Sequence, residues 1–205
     1  MANHSTIDRI LDTAEQLFAE KGFTETSLRM ITSRAGVNLA AVNYHFGSKE
    51  ALIQAVFSRF LAPYCEQLEV EFEKLQKSPH NLEMLLLKVA RVGVKLFGED
   101  PARGAIWMRL TGLAYTQAQG HLRKYIRERY GSVFRQFISM LKPVCPGLNS
   151  EELYWRTQFA LGSAVFTFSN IEILLQLTAH DLKVVSTPDQ VVNRLVAFLT
   201  AGILG

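Results

Sequence analysis

The stretch from Ser27 to Glu50, SLRMITSRAGVNLAAVNYHFGSKE, limits what this chain can fold into more than any other. Leu28, Ile31 and Ala35 recur at the spacing of one helical face. Thr26 or Ser27 stands just before them, with a hydroxyl able to accept a hydrogen bond from a free N–H of the first turn. Gly36 then stops the helix, because glycine takes a positive φ without steric cost. Asn38 is placed to cap a second short helix, expected over about 39–44. Gly47 ends that helix and Ser48 opens a third, with Glu50 in its first turn, where the helix dipole favours a negative charge. Two short helices joined by a glycine turn form a helix-turn-helix, and the second helix of that motif enters the DNA major groove.

The rest of the chain is helical too. Ile7, Ile10, Leu11, Ala14, Leu17 and Phe18 form an apolar stripe, with Asp8, Asp12 and Glu15 off it and Lys21-Gly22 as the stop. Val37, Val42 and Phe46 are expected in the core of this N-terminal head. A long helix is expected from Ser48 to about Gln76, kinked at Pro63 because proline removes one backbone hydrogen bond. Its charged end, 66–77, is expected to face solvent. Further helices are expected over about 82–97, 102–115, 117–141, 149–179 and 189–204, with breakers at Gly98-Glu-Asp-Pro101 and Pro143-Val-Cys-Pro-Gly147. Thr187 caps the last. No strand-like alternation competes. The fold class is therefore all-α, about nine helices: a helix-turn-helix head over 1–47 and a C-terminal bundle over 48–205.

Charge alone does not point to nucleic acid. The chain carries a net charge of +3 over 205 residues. Residues 1–50 hold five Lys or Arg against six Asp or Glu. Between Thr26 and Lys49, however, there is no acid, and Arg29, Arg34 and Lys49 lie there. A hydrophobic content of 48% and a mean hydropathy of +0.09 suit a buried dimer face or an internal pocket. Two cysteines, Cys65 and Cys145, lie in no motif, which fits a reducing compartment. The opening MANHSTIDRI lacks the pattern of a signal peptide, and the uncharged run from Thr157 to Ile171 is too short for a span, so a cytoplasmic protein without a membrane partner is expected. No nucleophile elbow, zinc-protease helix, CxxC pair or phosphate loop appears; neither an enzyme nor a cofactor is expected.

Ile10–Phe18, Lys21-Gly-Phe23, the helix-turn-helix and Tyr44-His-Phe-Gly-Ser-Lys-Glu-Ala-Leu52 together resemble the TetR family of bacterial transcriptional repressors. Trp107–Ala114 and Gln119–Tyr125 also resemble the fatty-acid-responsive regulators of the PsrA type. The first resemblance implies that Asn38, Leu39, Ala40, Ala41 and Asn43 meet base edges. Asparagine can pair with adenine, and alanine or leucine can touch a thymine methyl. The family often has a Lys, Arg or Pro where Leu39 stands, Gly where Ala40 stands and Tyr where Asn43 stands, so apolar contact and DNA shape share the readout here. Tyr44, His45, Lys49, Thr26 and Arg29 are implied phosphate contacts, and the N–H of Ser48 an anion site.

The family resemblance further implies a homodimer on a pseudo-palindromic operator, released when a small molecule fills the C-terminal bundle. Trp107, Met108, Arg109, Thr111, Phe134, Phe137, Phe159, Val165 and Phe166 are candidate pocket residues, for a fatty acid or acyl-CoA in view of the second resemblance. Arg109, among apolar neighbours in the sequence, or the cluster His121, Arg123, Lys124 and Arg127 would hold its carboxylate or phosphate; for the cluster, a solvated helix face is the simpler reading. Phe166 also competes for the dimer face, expected on the last two helices with Phe168, Ile171, Leu174, Val191, Leu195 and Phe198. Two alternatives stand beside this reading. One is a DNA-binding adaptor that senses nothing; the other is a regulator of the same fold that senses another hydrophobic compound and controls drug efflux.

Overall fold

The computed structural model describes residues 5–97, 100–117 and 119–205. Ten helices and no strand lie among them: α1 Thr6–Glu25, α2 Leu28–Ala35, α3 Leu39–Phe46, α4 Lys49–Gln76, α5 Leu82–Phe97, α6 Pro101–Thr116, α7 Gly120–Val144, α8 Ser150–Ser169, α9 Ile171–Leu182 and α10 Pro188–Leu204. The residues Met1–His4 and the expected breaker at Gly98 and Glu99 lie outside the described residues.

The chain divides into two compact units, Met1–Ala62 with Arg109–Arg129, and Pro63–Met108 with Tyr130–Gly205. The dividing line falls inside α4, α6 and α7.

In the first unit, α1, α2 and α3 pack against one another. Ile10, Ala14, Phe18, Phe23, Ile31, Val42, Leu52, Val56 and Phe57 are fully or almost fully buried. The rings of Phe18 and Phe23 lie 5.4 Å apart and those of Phe23 and Phe57 6.1 Å apart, tilted as aromatic pairs prefer. Of the three residues expected in the head's core, Val42 is fully buried, while Val37 and Phe46 are half-buried. Glu15, off the apolar stripe of α1, is nevertheless buried: Arg59 Nη1 donates to it at 3.0 Å and to Asp12 at 2.6 Å. A charge taken from water needs such a partner. Gly22 takes φ 83° and bends α1, which resumes for one turn to Glu25.

In the second unit, α10 packs on α5 and α8. The charged segment 66–77 is amphipathic, with Leu68, Phe72 and Leu75 buried between its exposed charges. Phe72 stacks on Phe137 at 6.1 Å. Pro63 lies inside α4, which is continuous around it. Two expectations are corrected here. Pro143 belongs to the last turn of α7 and not to a loop, with Leu141 and Cys145 buried on either side. The helix expected over 149–179 breaks into α8 and α9, whose axes differ by 73°. At the break Asn170 leaves helical geometry (φ −121°, ψ 18°) and its side chain donates to the Phe166 carbonyl at 2.8 Å, competing with the backbone ladder. Among the described residues no single helix is long and apolar enough to cross a membrane; the bent α8–α9 pair meets the test only as two pieces.

Candidate nucleic-acid interface

The reading head is built from local caps. The Ser27 hydroxyl accepts from Met30 N–H at 3.2 Å and starts α2. Gly36 ends α2 in the left-handed region, φ 65° and ψ 38°, with its N–H on the Thr32 carbonyl. Two residues later the Asn38 side chain accepts from Ala41 N–H at 2.8 Å and starts α3. Val42 is the buried pin of α3. Its opposite face looks outward: Leu39, Ala40, Asn43, Tyr44 and His45 are exposed, Tyr44 to 85%, and Ala41 is half-buried. The Tyr44 and His45 rings meet edge to face at 5.0 Å, which restrains two aromatic side chains at the end of α3.

Arg29 is exposed on α2. Lys49, half-buried at the start of α4, donates to the Thr24 carbonyl at 3.4 Å, so its ammonium sits over the α1–α2 junction. Arg34 pairs with Glu20 at 2.8 Å, which raises its pKa and lowers that of the carboxyl, and is thereby tied to α1.

Three expectations change. Thr26 is fully buried, and its hydroxyl donates to the Gly22 and Leu17 carbonyls at 2.8 and 3.1 Å. It therefore satisfies carbonyls at the end of α1 and does not face outward. Asn38 is exposed, but its Oδ1 is engaged in the cap, which leaves only the NH2 to meet a base and removes bidentate pairing with adenine unless the cap opens. The Ser48 N–H donates to the Phe46 carbonyl at 2.9 Å, and Glu50 follows in the first turn of α4. The backbone amide of Glu50 and the Ser48 hydroxyl hold that carboxyl below the usual range, so the start of α4 already carries its own anion.

Sequence reasoning missed Gln117. Its Oε1 accepts the Phe23 N–H at 2.8 Å, and Gly22 gives it room: a Cβ at Gly22 would lie 2.4 Å from Gln117 Nε2. Ninety-four positions separate the two partners, and no local pattern announces the bond. Beside it, His121 lies between Gln54 (3.4 Å) and Gln119 (2.7 Å), and Ser58 meets the Tyr125 hydroxyl at 3.0 Å. These bonds fasten Gln117, His121 and Tyr125 to Phe23 and to the first turns of α4.

The nine candidate pocket residues are not brought together around a cavity. Arg109 and Thr111 belong to the first unit, and the other seven to the second. Arg109 is exposed rather than set among apolar side chains. Trp107 is buried, Met108, Phe137 and Val165 are half-buried, and Phe134, Phe159 and Phe166 are exposed. One cavity of about 280 Å³ is lined by His80, Asn81, Leu82, Glu83, Pro143, Val144, Thr200 and Leu204. Another, of about 310 Å³, is lined by Arg91, Asp189, Val192 and Asn193. Among the described residues no group of three or more His, Cys, Asp or Glu is arranged to hold a metal ion.

With this geometry in hand, the relatives are informative. Residues 10–56 match the family model of bacterial regulatory proteins of the tetR family, and residues 91–202 match that of the tetracyclin repressor-like C-terminal domain. The probable HTH-type transcriptional regulator YttP of Bacillus subtilis is 35% identical over 83 residues, 40% of each chain. The HTH-type transcriptional repressor BepR of Brucella suis is 25% identical over 138 residues, 67% of this chain and 65% of its own. The chain thus matches only about two fifths of the length of YttP. Among solved structures, Mycobacterium smegmatis AmtR aligns with a TM-score of 0.65 and 18% identity, over 100% of this chain and 89% of its own. The fatty acid degradation regulator FadR of Bacillus halodurans aligns at 0.59 and 18%, over 100% and 97%. These two likenesses show the fold. A helix-turn-helix head whose second helix turns its unburied face outward, joined to a helical domain and matched by both family models, identifies the chain as a member of the TetR family, a DNA-binding transcriptional regulator.

Proposed function

We propose that the chain acts as a homodimeric repressor that places α3 of each copy in successive major grooves of a pseudo-palindromic operator. The outward face of α3 carries this reading. Leu39, Ala40, Asn43 and Tyr44 are exposed on a helix that is otherwise pinned by Val42, and nothing in the fold of the head needs them there. Asn43 reads a base edge, Leu39, Ala40 and Ala41 touch thymine methyls, and Tyr44, His45, Arg29 and Lys49 hold phosphates.

The dimer uses α8 and α10. Trp155, Phe159 and Phe166 lie on one side of α8, and Phe198 and Ala201 on one side of α10, all exposed, with the two helices packed against each other. An apolar patch of this kind on a soluble protein is covered by a partner, and a second copy covers it with the same surface. Phe159 and Phe166 accordingly serve the interface and not the pocket.

The released state is induced by a small apolar ligand, a long-chain fatty acid or its acyl-CoA ester. The burial of Trp107, the stacking of Phe137 on Phe72 and the fold shared with FadR of Bacillus halodurans support this. The test is a gel shift with promoter DNA of fatty-acid degradation genes, with and without acyl-CoA. Specific binding that acyl-CoA abolishes is the expected result. Specific binding indifferent to every acyl compound removes the ligand and leaves the repressor; absence of any operator preference removes both.

A further inference from the structure

The segment Met1–Ala62 carries no net charge. Met1–Ala62 holds six Lys or Arg and six Asp or Glu, whereas Arg109–Arg129, in the same compact unit, adds five basic residues and one acid. The net surplus of that unit, four charges, thus equals that of Arg109–Arg129, the cations Arg29 and Arg34 of the helix-turn-helix being offset by acids elsewhere in Met1–Ala62. The second unit carries eleven basic and twelve acidic residues, a surplus of one negative charge.

The cations concentrate on one face. Leu122 is fully buried and Tyr125 bonds Ser58, so this side of α7 packs on the head. Arg123, Lys124 and Arg127 lie on the other side and are exposed, as is Arg129. The one carboxylate beside them, Glu128, stands 3.9 Å from Lys124 with both side chains mostly in solvent, a weak pair. These charges sit in the first turns of α7, which has no acid in its opening turn, so they oppose the helix dipole and do not serve the helix itself.

Their position is also fixed. His121 meets Gln54 and Tyr125 meets Ser58, each four residues on, so α7 begins beside the beginning of α4 and runs in the same direction. Gln54 is five residues, about 7.5 Å along the helix, from Lys49. Gln117 bonds Phe23 at the junction over which Lys49 lies. Arg123 and Lys124 therefore lie in the turns of α7 whose start is held beside the end of α4 that carries Lys49.

We propose that the Arg123, Lys124 and Arg127 face of α7 binds the phosphate backbone of duplex DNA flanking the bases read by α3. It adds sequence-independent attraction to that of Arg29 and Lys49, within a unit whose Met1–Ala62 portion carries no net charge. Each phosphate neutralised releases counterions and steepens the salt dependence of binding. The inference rests on α3 being the DNA-reading helix.

The test is fluorescence anisotropy of the full chain on operator and scrambled duplexes across a salt series, comparing wild type with Arg123→Gln/Lys124→Gln/Arg127→Gln. The salt slope of the variant is expected to be smaller by about two to three per protomer, with affinity for both duplexes falling alike and their ratio unchanged within about twofold. Arg123→Lys/Arg127→Lys is expected to keep the wild-type slope, and Arg135→Gln/Lys142→Gln, in the other unit, to leave it unchanged. Thermal melts establish that each variant is folded; if the triple variant is not, Arg127→Gln alone is expected to lower the slope by about one. An unchanged slope in a folded variant overturns the proposal and leaves the face to an acidic protein. A collapsed operator-to-scrambled ratio overturns it by giving these residues a role in base reading, and an equal loss in the Arg135/Lys142 control overturns it by reducing the effect to net charge. Wild-type protein that binds no duplex defeats the reading of α3 instead, so the two failures are distinct.

Discussion

The two units finish their interiors differently. In the first, the large apolar side chains of α1 and of the α4 segment that packs on it close on one another, and Phe18, Phe23 and Phe57 are wholly or almost wholly buried. Its most exposed aromatic residue, Tyr44, stands on the outward face of α3. In the second, Trp155, Phe159, Phe166 and Phe198 remain exposed, at 51%, 65%, 62% and 66%. The first unit has a completed core and an outward face of small and polar groups, as suits a surface that meets a hydrated polyanion. The second has a core and, beside it, a large apolar surface that water disfavours. The contrast teaches where apolar surface is left over: the first unit turns its large apolar side chains of α1 and α4 inward, whereas the second leaves an aromatic face that the proposed second copy would cover.

The strongest test of this contrast is in the head. Phe57→Ala removes a ring from a closed core and should cost about 3–5 kcal/mol, read as a drop in urea midpoint followed by loss of DNA binding. A cost below about 1 kcal/mol would mean that the core is looser than its burial implies. Next, Phe159→Ala with Phe198→Ala should weaken dimerisation by about 2 kcal/mol or more in sedimentation equilibrium, since aromatic anchors dominate interfaces. The same double variant should leave the stability of the isolated protomer almost unaltered. A stable dimer in this variant would break the comparison, because the exposed aromatics would then have no bearing on assembly.

Smaller effects sharpen the head's own division of labour. Asn43→Ala should reduce discrimination between operators by about 1–3 kcal/mol at one base position, whereas Lys49→Ala should weaken all duplexes alike and lower the salt slope by about one. Finding the reverse would mean that base and phosphate contacts are exchanged. The smallest effect lies in the second unit. Hydrogen bonds from Lys74 (2.7 Å) and Lys88 (2.6 Å) lower the Glu71 carboxyl to about 2. A carboxyl depressed in the fold stabilises it above the unfolded pKa, and the gain is lost as pH falls through the folded value. Wild type should therefore lose up to about 1 kcal/mol more than Glu71→Gln between roughly pH 4.5 and 2, a modest amount because the lysines are partly in solvent. Identical acid unfolding of the two proteins would show that the bridges contribute nothing.

How much could be read in advance followed the range of each interaction. The Ser27, Asn38 and Thr187 caps each join residues three apart, and Gly36 marks its turn by itself, so the boundaries of α2 and the starts of α3 and α10 were visible in the letters. The end of α3 was placed two residues short, since His45 and Phe46 continue the helix until Gly47. The break at Asn170 went unseen because an apolar stretch with one asparagine reads as a single helix, and the turn depends on that side chain taking the Phe166 carbonyl. Among the candidate site residues, those on the outward face of α3 came from the family resemblance, while Val42 was expected in the core. The burial of Thr26 was not, since its hydroxyl is claimed by Leu17, nine residues back.

The amino-acid sequence by itself determined the all-helical class and the helix-turn-helix, because these rest on caps, glycine turns and apolar periodicity acting over one or two helical turns, and its motifs carried the family resemblance. Tertiary structure alone decided which polar groups remain free to act. It buried Thr26, spent the Asn38 oxygen on a cap, joined Gln117 to Phe23 across the chain, and brought the cations of α7 to a head with no net charge of its own. The physical reason is that burial, hydrogen-bond partners and local field are set by residues far apart in the chain, and no short window of sequence contains both partners.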